Sequence, residues 1–524
     1  MLYQWKGLNR FSLNGDEPFS VFTAQGTLAH IWSVLSLGNN PPLYETLLHF
    51  WMELFGCSER AVRSMSLLAA GGSVYVVFHM LRRRHLGWAY LSVLMLFFSN
   101  YFQAHATEAR GYSILILLSL ITTHLLLRYL VQKRSFPWIG YSIFSLMMLY
   151  THFFGWWVLF THLLLMMCCK KMLVIEWKKV VWTAALILIG YAPYGKIFIE
   201  RAFLNAGQGT WVSPVTNMGS LHDFILWCAN GVPTFYAGII LLLLGAVELA
   251  LQRAKVDRLY YWPIRGALIF FAFFAFSIYL PMPYFWEFTD QWIWFFLYSA
   301  ALIAALWYMF FSSRFSVWEK WMIGMWTIPL LAIFLVSTKV PMYLDRYVSF
   351  CVPFFYITVS GVLLLIGRKR VGIWMTMFVS FLWLTSHQVP PEKREVRKLV
   401  NEIKVEMGNN PSACLVICPY YFDLNVLYYW NIQLFKEWGT ANFTETAVQE
   451  ALMEQGVFAV RDSATLKRCL EDRTYGRYVY LDASADFSIP GNGVKQWLEQ
   501  QCEKERELEI PERFVLRTYT ARTP

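Results

Sequence analysis

Long apolar runs interrupted by short basic clusters constrain this chain more than any other feature. Arg82 to Arg84, Lys170 with Lys171, and Arg368 to Arg370 punctuate those runs, and every cluster falls on one side when the runs are threaded alternately through a bilayer. The opposite side receives a few unusual polar pieces: Gly15-Asp16-Glu17, Asn40-Pro41-Pro42-Leu43, Glu108-Ala109-Arg110-Gly111-Tyr112 and Asp345-Arg346-Tyr347. Such segregation predicts an integral, multi-pass membrane protein whose chemistry sits on the non-cytoplasmic face. Only 15% of the residues are charged, against 57% hydrophobic and 18% aromatic, whereas soluble domains carry roughly 25% charged residues. The formal net charge of +10 lies mostly in short loops. It therefore reports orientation and does not imply a nucleic-acid partner.

A spanning helix needs about 20 mostly apolar residues. Runs that meet this, with shorter ones accepted where charges bracket them, lie at 61–81, 87–104, 111–131, 136–151, 153–169, 180–199, 235–252, 266–283, 291–311, 321–338, 347–367 and 371–388. The expected fold class is thus an all-α polytopic membrane domain over residues 61–388, with about twelve helices. Counting Lys and Arg places the loops with Arg82 to Arg84, Lys133 with Arg134, Lys170 to Lys179, Arg253 to Arg265, Arg314 with Lys320, and Arg368 to Arg370 inside, and both chain ends outside. Residues 1–60 form an external loop in which 19–37 and 43–55 read as amphipathic helices lying along the interface. After residue 388 the composition changes: Pro390-Pro391 leads into the charged segment Glu392 to Glu406 and then into short β-rich runs at 413–418, 457–460, 477–482 and 513–519. Residues 389–524 are expected to form a small extracytoplasmic α/β domain. The nine cysteines follow no metal-ligand spacing; Cys469 and Cys502 are able to pair in an oxidising compartment, though sequence does not fix pairing.

Several polar residues are candidates for chemistry. Asp16, two residues before Pro18, suits a helix N-cap. Glu108, Arg110 and Tyr112 stand where an apolar run restarts, a depth at which charges usually face a cavity. On a helix, residues two apart do not share a face, which disfavours a simple salt bridge there. Asp345-Arg346-Tyr347 opens another run with Lys339 just before it, and suits either an interfacial anchor or a site. His152 and His222 supply imidazoles on the same side without a ligand spacing, so no metal ligands are assigned.

The order of these pieces carries more than any one of them. Gly15 to Ser20, Asn40 to Tyr44, His49, Phe55-Gly56, Ser58-Glu59, Arg63, Glu108 to Tyr112, Tyr150 to Phe153, Trp211 to Pro214, and Asp345 to Tyr347 with Pro353 together resemble bacterial members of the protein O-mannosyltransferase-like superfamily (glycosyltransferase family 39-like). These membrane glycosyltransferases have the fold usually called GT-C. The resemblance implies transfer of one sugar from a polyprenyl monophosphate to an extracytoplasmic acceptor, either a glycolipid, an envelope glycan or a protein, at a bacterial inner membrane with its site on the periplasmic face. It also implies catalytic roles for Asp16 and Glu108, the acidic residues of the first and second external loops. Relatives carry a transmembrane helix ahead of the first acidic loop, which is missing before Asp16 and points to a misplaced start or a truncated chain. Many have His where Asn40 stands.

An inverting displacement needs one base, for which a carboxylate such as Asp16 suffices. The departing phosphate needs cationic partners, and Arg110 and Arg346, then Lys339, are the candidates. Glu108 suits fixing sugar hydroxyls, orienting Arg110 or binding a divalent ion. Glu17, Tyr112, Asn40, His152 and Tyr347 are the expected substrate contacts. A transporter or flippase is the alternative reading, but would not need a first-loop carboxylate pair or an external domain. A polymerase or ligase using diphosphate donors would show arginines in a long external loop, where residues 200–234 hold only Arg201.

Overall fold

The computed structural model describes, apart from a few positions, residues 8–132, 137–208, 219–235, 316–366, 379–385 and 395–522. The described part begins with three short helices, α1 (Glu17–Thr23), α2 (Leu28–Ser36) and α3 (Leu43–Phe55). There follow α4 (Glu59–Leu81), α5 (Leu86–Phe97), α6 (Asn100–Ala106), α7 (Tyr112–Gln132), α8 (Trp138–Thr151), α9 (Gly155–Cys168), α10 (Trp177–Gln208), α11 (Gly219–Cys228), α12 (Val317–Ser337) and α13 (Val352–Ile366). Among the described residues α4, α7, α10 and α12 are long and apolar enough to cross a membrane; at about 1.5 Å per residue, 20 residues cover roughly 30 Å. α7 packs between α4 and α8, while α12 joins α9 to α13.

The ends of these helices sort by charge. α4 runs from Glu59 to the cluster at Arg82, and the Arg84 guanidinium lies 4.7 Å over the ring of Trp318, at the start of α12. Lys320 reaches Met172, beside Lys170 and Lys171. These two basic clusters therefore share one end of the bundle. At the other end lie the start of α7, the ends of α8 and α12 and the start of α13, and with them the polar pieces.

Two expectations change. The run 87–104 is not one helix: Ser99 accepts from the Phe102 N–H at 3.2 Å and caps a new start, so the chain breaks into α5 and α6. The run 347–367 opens with a 3-10 turn, Asp345–Cys351, before α13. The spans expected at 235–252, 266–283 and 291–311, the loop Arg253 to Arg265, Arg314, Arg368 to Arg370, Lys133 with Arg134, and Trp211 to Pro214 lie wholly or almost wholly outside the described residues, and so does the larger part of 371–388.

The C-terminal part carries a five-stranded sheet with α14 (Val396–Met407) before it. Its strands are β1 (Ala413–Cys418), β2 (Val457–Ala459), β3 (Arg477–Asp482), β4 (Cys502–Ile510) and β5 (Phe514–Ala521), in the order β2-β1-β3-β5-β4. β1 pairs parallel with β2 and β3, and β5 pairs antiparallel with β3 and β4. Between β1 and β2 stand α15 (Asp423–Trp430), α16 (Ile432–Thr440) and α17 (Glu445–Glu454). All nine cysteines are free, so Cys469 and Cys502 are not joined. This domain sits on the end of the bundle that carries the polar pieces. Asn425 of α15 donates to the Gly15 carbonyl at 3.1 Å, Arg397 N–H donates to Ser12 Oγ at 3.0 Å, and Tyr429 takes the Leu13 N–H and donates to Glu59.

Candidate active site

Gly15 holds φ +58°, a conformation glycine takes without strain, and feeds the chain into α1 with Asp16 at the N-cap position and Pro18 in the first turn. The Asp16 side chain makes no capping hydrogen bond, contrary to the capping expectation. Its Oδ2 lies instead 3.6 Å from Arg110 Nη2 and 3.6 Å from Arg346 Nη1. Arg110 is 7% exposed and also donates through Nη1 to Ser20 Oγ at 2.8 Å. One carboxylate thus joins guanidiniums from the turn before α7 and the 3-10 turn before α13, two positions far apart in sequence. Burial works against both guanidiniums, but the negative neighbours, Asp16 and Glu108 among them, hold them above their usual range.

Glu108 and Arg110 are not helical here. The Arg110 N–H donates to the Glu108 carbonyl at 2.8 Å, a tight turn to which helical face rules do not apply. Glu108 keeps 30% of its side chain exposed and receives His105 Nδ1 at 3.2 Å. Burial would raise its carboxyl, yet the His105 hydrogen bond and the charges of His105, Arg346 and Arg110 outweigh it and hold it below the ordinary range.

Beside Arg110 a small cleft is lined by Asn40, Tyr44, Glu45, Gly111, Tyr112, Thr151 and His152. The approach at Gly111 is close: a Cβ there would stand 3.3 Å from Thr151 Cγ2 and 3.4 Å from Tyr44 Cβ. His152 Nδ1 accepts from the Phe154 N–H at 3.1 Å, which leaves the ring proton on Nε2. Burial, then Arg110 and Arg346, push its pKa down to about 3, so the ring is neutral at ordinary pH. The Tyr347 ring packs 5.1 Å from His152, and Tyr112 lies 6.0 Å from the same ring.

Two expected site residues stand elsewhere. Glu17 is enclosed, with its oxygens taken by Arg63 at 2.6 and 2.8 Å and by the backbone N–H groups of Ala109 and Asn14. The helical turn that aims Asp16 outward aims Glu17 into the bundle, where it ties α1 to α4. Lys339 is exposed just beyond α12 and, among the described residues, pairs with no carboxylate of the cluster. No three His, Cys, Asp or Glu side chains among the described residues come together as metal ligands. Glu45 is the residue sequence reasoning missed. It sits in the first turn of α3 directly behind the paired prolines, and its only signal was a carboxylate within an apolar helix.

Residues 39–194, which include Asn40, Glu45, Glu108, Arg110 and His152, match the family model described as dolichyl-phosphate-mannose-protein mannosyltransferase. No curated protein matches the chain by sequence. Among solved structures, ArnT from Cupriavidus metallidurans bound to undecaprenyl phosphate is similar over 99% of this chain and 96% of its own, with TM-score 0.51 and 12% identity. The same protein in the apo state aligns with TM-score 0.46 and 12% identity over 99% and 96% of the two chains. The Archaeoglobus fulgidus oligosaccharyltransferase in its apo form aligns with TM-score 0.46 and 11% identity, over 98% of this chain and 73% of that one. The resemblance read from the motifs is borne out: residues 39–194 match the model of the mannosyltransferase family, and over its length the chain shares the fold of the ArnT structure.

Proposed function

We propose that this protein transfers a single sugar, with inversion, from a polyprenyl monophosphate to an acceptor hydroxyl on the external face of a cell membrane, the acceptor being a glycolipid, an envelope glycan or a protein. The observation that carries this reading is the meeting of Arg110 and Arg346 at Asp16, each 3.6 Å from the same oxygen. Two guanidiniums on one small anion are the arrangement that also suits a phosphate. Support comes from the donor named in the matched family's description and from the undecaprenyl phosphate bound in the ArnT structure of the same fold.

The donor phosphate displaces Asp16 from the two guanidiniums, and the freed carboxylate faces the acceptor. Asp16 takes the proton of the acceptor hydroxyl, whose oxygen bonds the anomeric carbon from the side opposite the phosphate. The bond from that carbon to the phosphate oxygen breaks, its electron pair stays on the phosphate, and Arg110 and Arg346 hold the resulting anion. Glu108, kept charged and tied to His105, steadies the cationic end of the site.

Asp16→Asn tests the reading with purified protein in detergent and a panel of polyprenyl-phosphate sugars. Turnover is expected to fall about 10²- to 10⁴-fold, the worth of a positioned base, with donor binding retained. Near-normal turnover by a folded Asp16→Asn protein removes the role, and failure of wild type to turn over any donor of this class removes the function.

A further inference from the structure

We infer that Glu45 reads a hydroxyl of the transferred sugar, which makes the cleft beside Arg110 the glycosyl subsite. This rests on the donor class proposed above. Glu45 is 2% exposed, and its Oε1 accepts from Ser20 Oγ at 2.8 Å. Its Oε2 is buried and, among the described residues, meets no donor. Native proteins leave few such groups unpaired, and this one lines a cleft with Asn40, Tyr112 and His152, whose polar atoms suit a sugar better than an isoprenoid tail.

Position argues for the sugar itself. Ser20 Oγ bonds both Arg110 Nη1 and Glu45 Oε1 at 2.8 Å, so the carboxyl stands one hydroxyl away from the guanidinium proposed for the phosphate. In a polyprenyl-phosphate sugar the anomeric carbon is bonded directly to the phosphate. A phosphate held by Arg110 and Arg346 therefore brings the sugar to the wall that Glu45 forms. Burial holds the Glu45 carboxyl above its ordinary range against the pull of Arg110. A sugar hydroxyl satisfies it in either state, accepting from the acid and donating to the carboxylate.

The test compares binding of undecaprenyl phosphate alone with that of undecaprenyl phosphate bearing mannose, glucose or arabinose, using full-length protein in detergent. Wild type is expected to bind at least one sugar-bearing lipid more tightly than the bare one. Glu45→Ala is expected to weaken that lipid by about 10- to 150-fold while leaving the bare lipid unchanged, which also shows that the variant is folded. Glu45→Gln keeps an acceptor and should lose less. Parallel loss of both lipids would make Glu45 a mere support for Arg110 and overturn the inference, as would unchanged binding of both, or a wild type that does not distinguish them. If wild type binds neither lipid, the proposed function fails first and this inference with it.

Discussion

Arg110 and Arg346 are the residues on which donor affinity should depend. Replacing either by Ala is expected to weaken binding of a polyprenyl-phosphate sugar by roughly 10- to 150-fold, the worth of one charge-assisted pair. Lys should restore only part, since an ammonium lacks the bidentate fork; equilibrium binding in detergent measures both, and full activity of Arg346→Ala would reduce that residue to an anchor. Asp16 and Glu17 show the limit of reading residues from sequence. They are adjacent, both acidic and both near a helix start, yet one faces two cations at the surface and the other is locked to Arg63 inside. Only the direction of the first turn of α1 separates them.

At the scale of elements, local signals were strongest where apolar runs were long and unbroken, as in α4, α7 and α12. They failed where a polar cap interrupts a run, at Ser99, and at β4. The sequence Cys-Glu-Lys-Glu-Arg-Glu-Leu-Glu-Ile of β4 favours helix by propensity, but pairing with β5 holds it as a charged edge strand. Helix α15 holds another buried carboxyl with an unpartnered oxygen among the described residues. Asp423 is 3% exposed, its Oδ2 lacks a partner among the described residues, and burial pushes its pKa up to about 7. Its unfolded value is near 4. The native state therefore retains a proton that the unfolded chain has lost between those values, so this group costs nothing at pH 4 and increasingly destabilises as pH rises to about 7. Asp423→Asn should slow hydrogen exchange in α15 and β1 at pH 8, a gain on the order of a few kcal/mol, and change little at pH 4. Equal protection of variant and wild type at pH 8 would count against the raised Asp423 pKa.

The molecule as a whole places its C-terminal domain over the loop that bears Asp16, through Asn425, Tyr429 and Arg397. That seat ties the domain to the side of the site, and the charge of the loops predicts that side to be external. Val405 in α14 is 71% exposed. In a variant lacking the exposed Cys168, an impermeant thiol reagent on intact cells is expected to label Val405→Cys and spare Arg83→Cys. The opposite pattern would invert the arrangement and the donor compartment.

Composition and loop charge by themselves predicted a multi-pass membrane protein with its polar pieces on one side, because burial in a bilayer and basic-loop retention act on stretches of residues without regard to their partners. The order of motifs along the chain brought Asp16, Glu108, Arg110 and Arg346 into consideration. Only tertiary structure decided that Asp16 stands between the two arginines, that Glu17 serves the frame, that Lys339 stays apart and that Glu45 turns a carboxyl toward the cleft. The physical reason is that a side chain's role follows from the direction it points and from what distant segments bring against it, and neither is set by its neighbours in sequence.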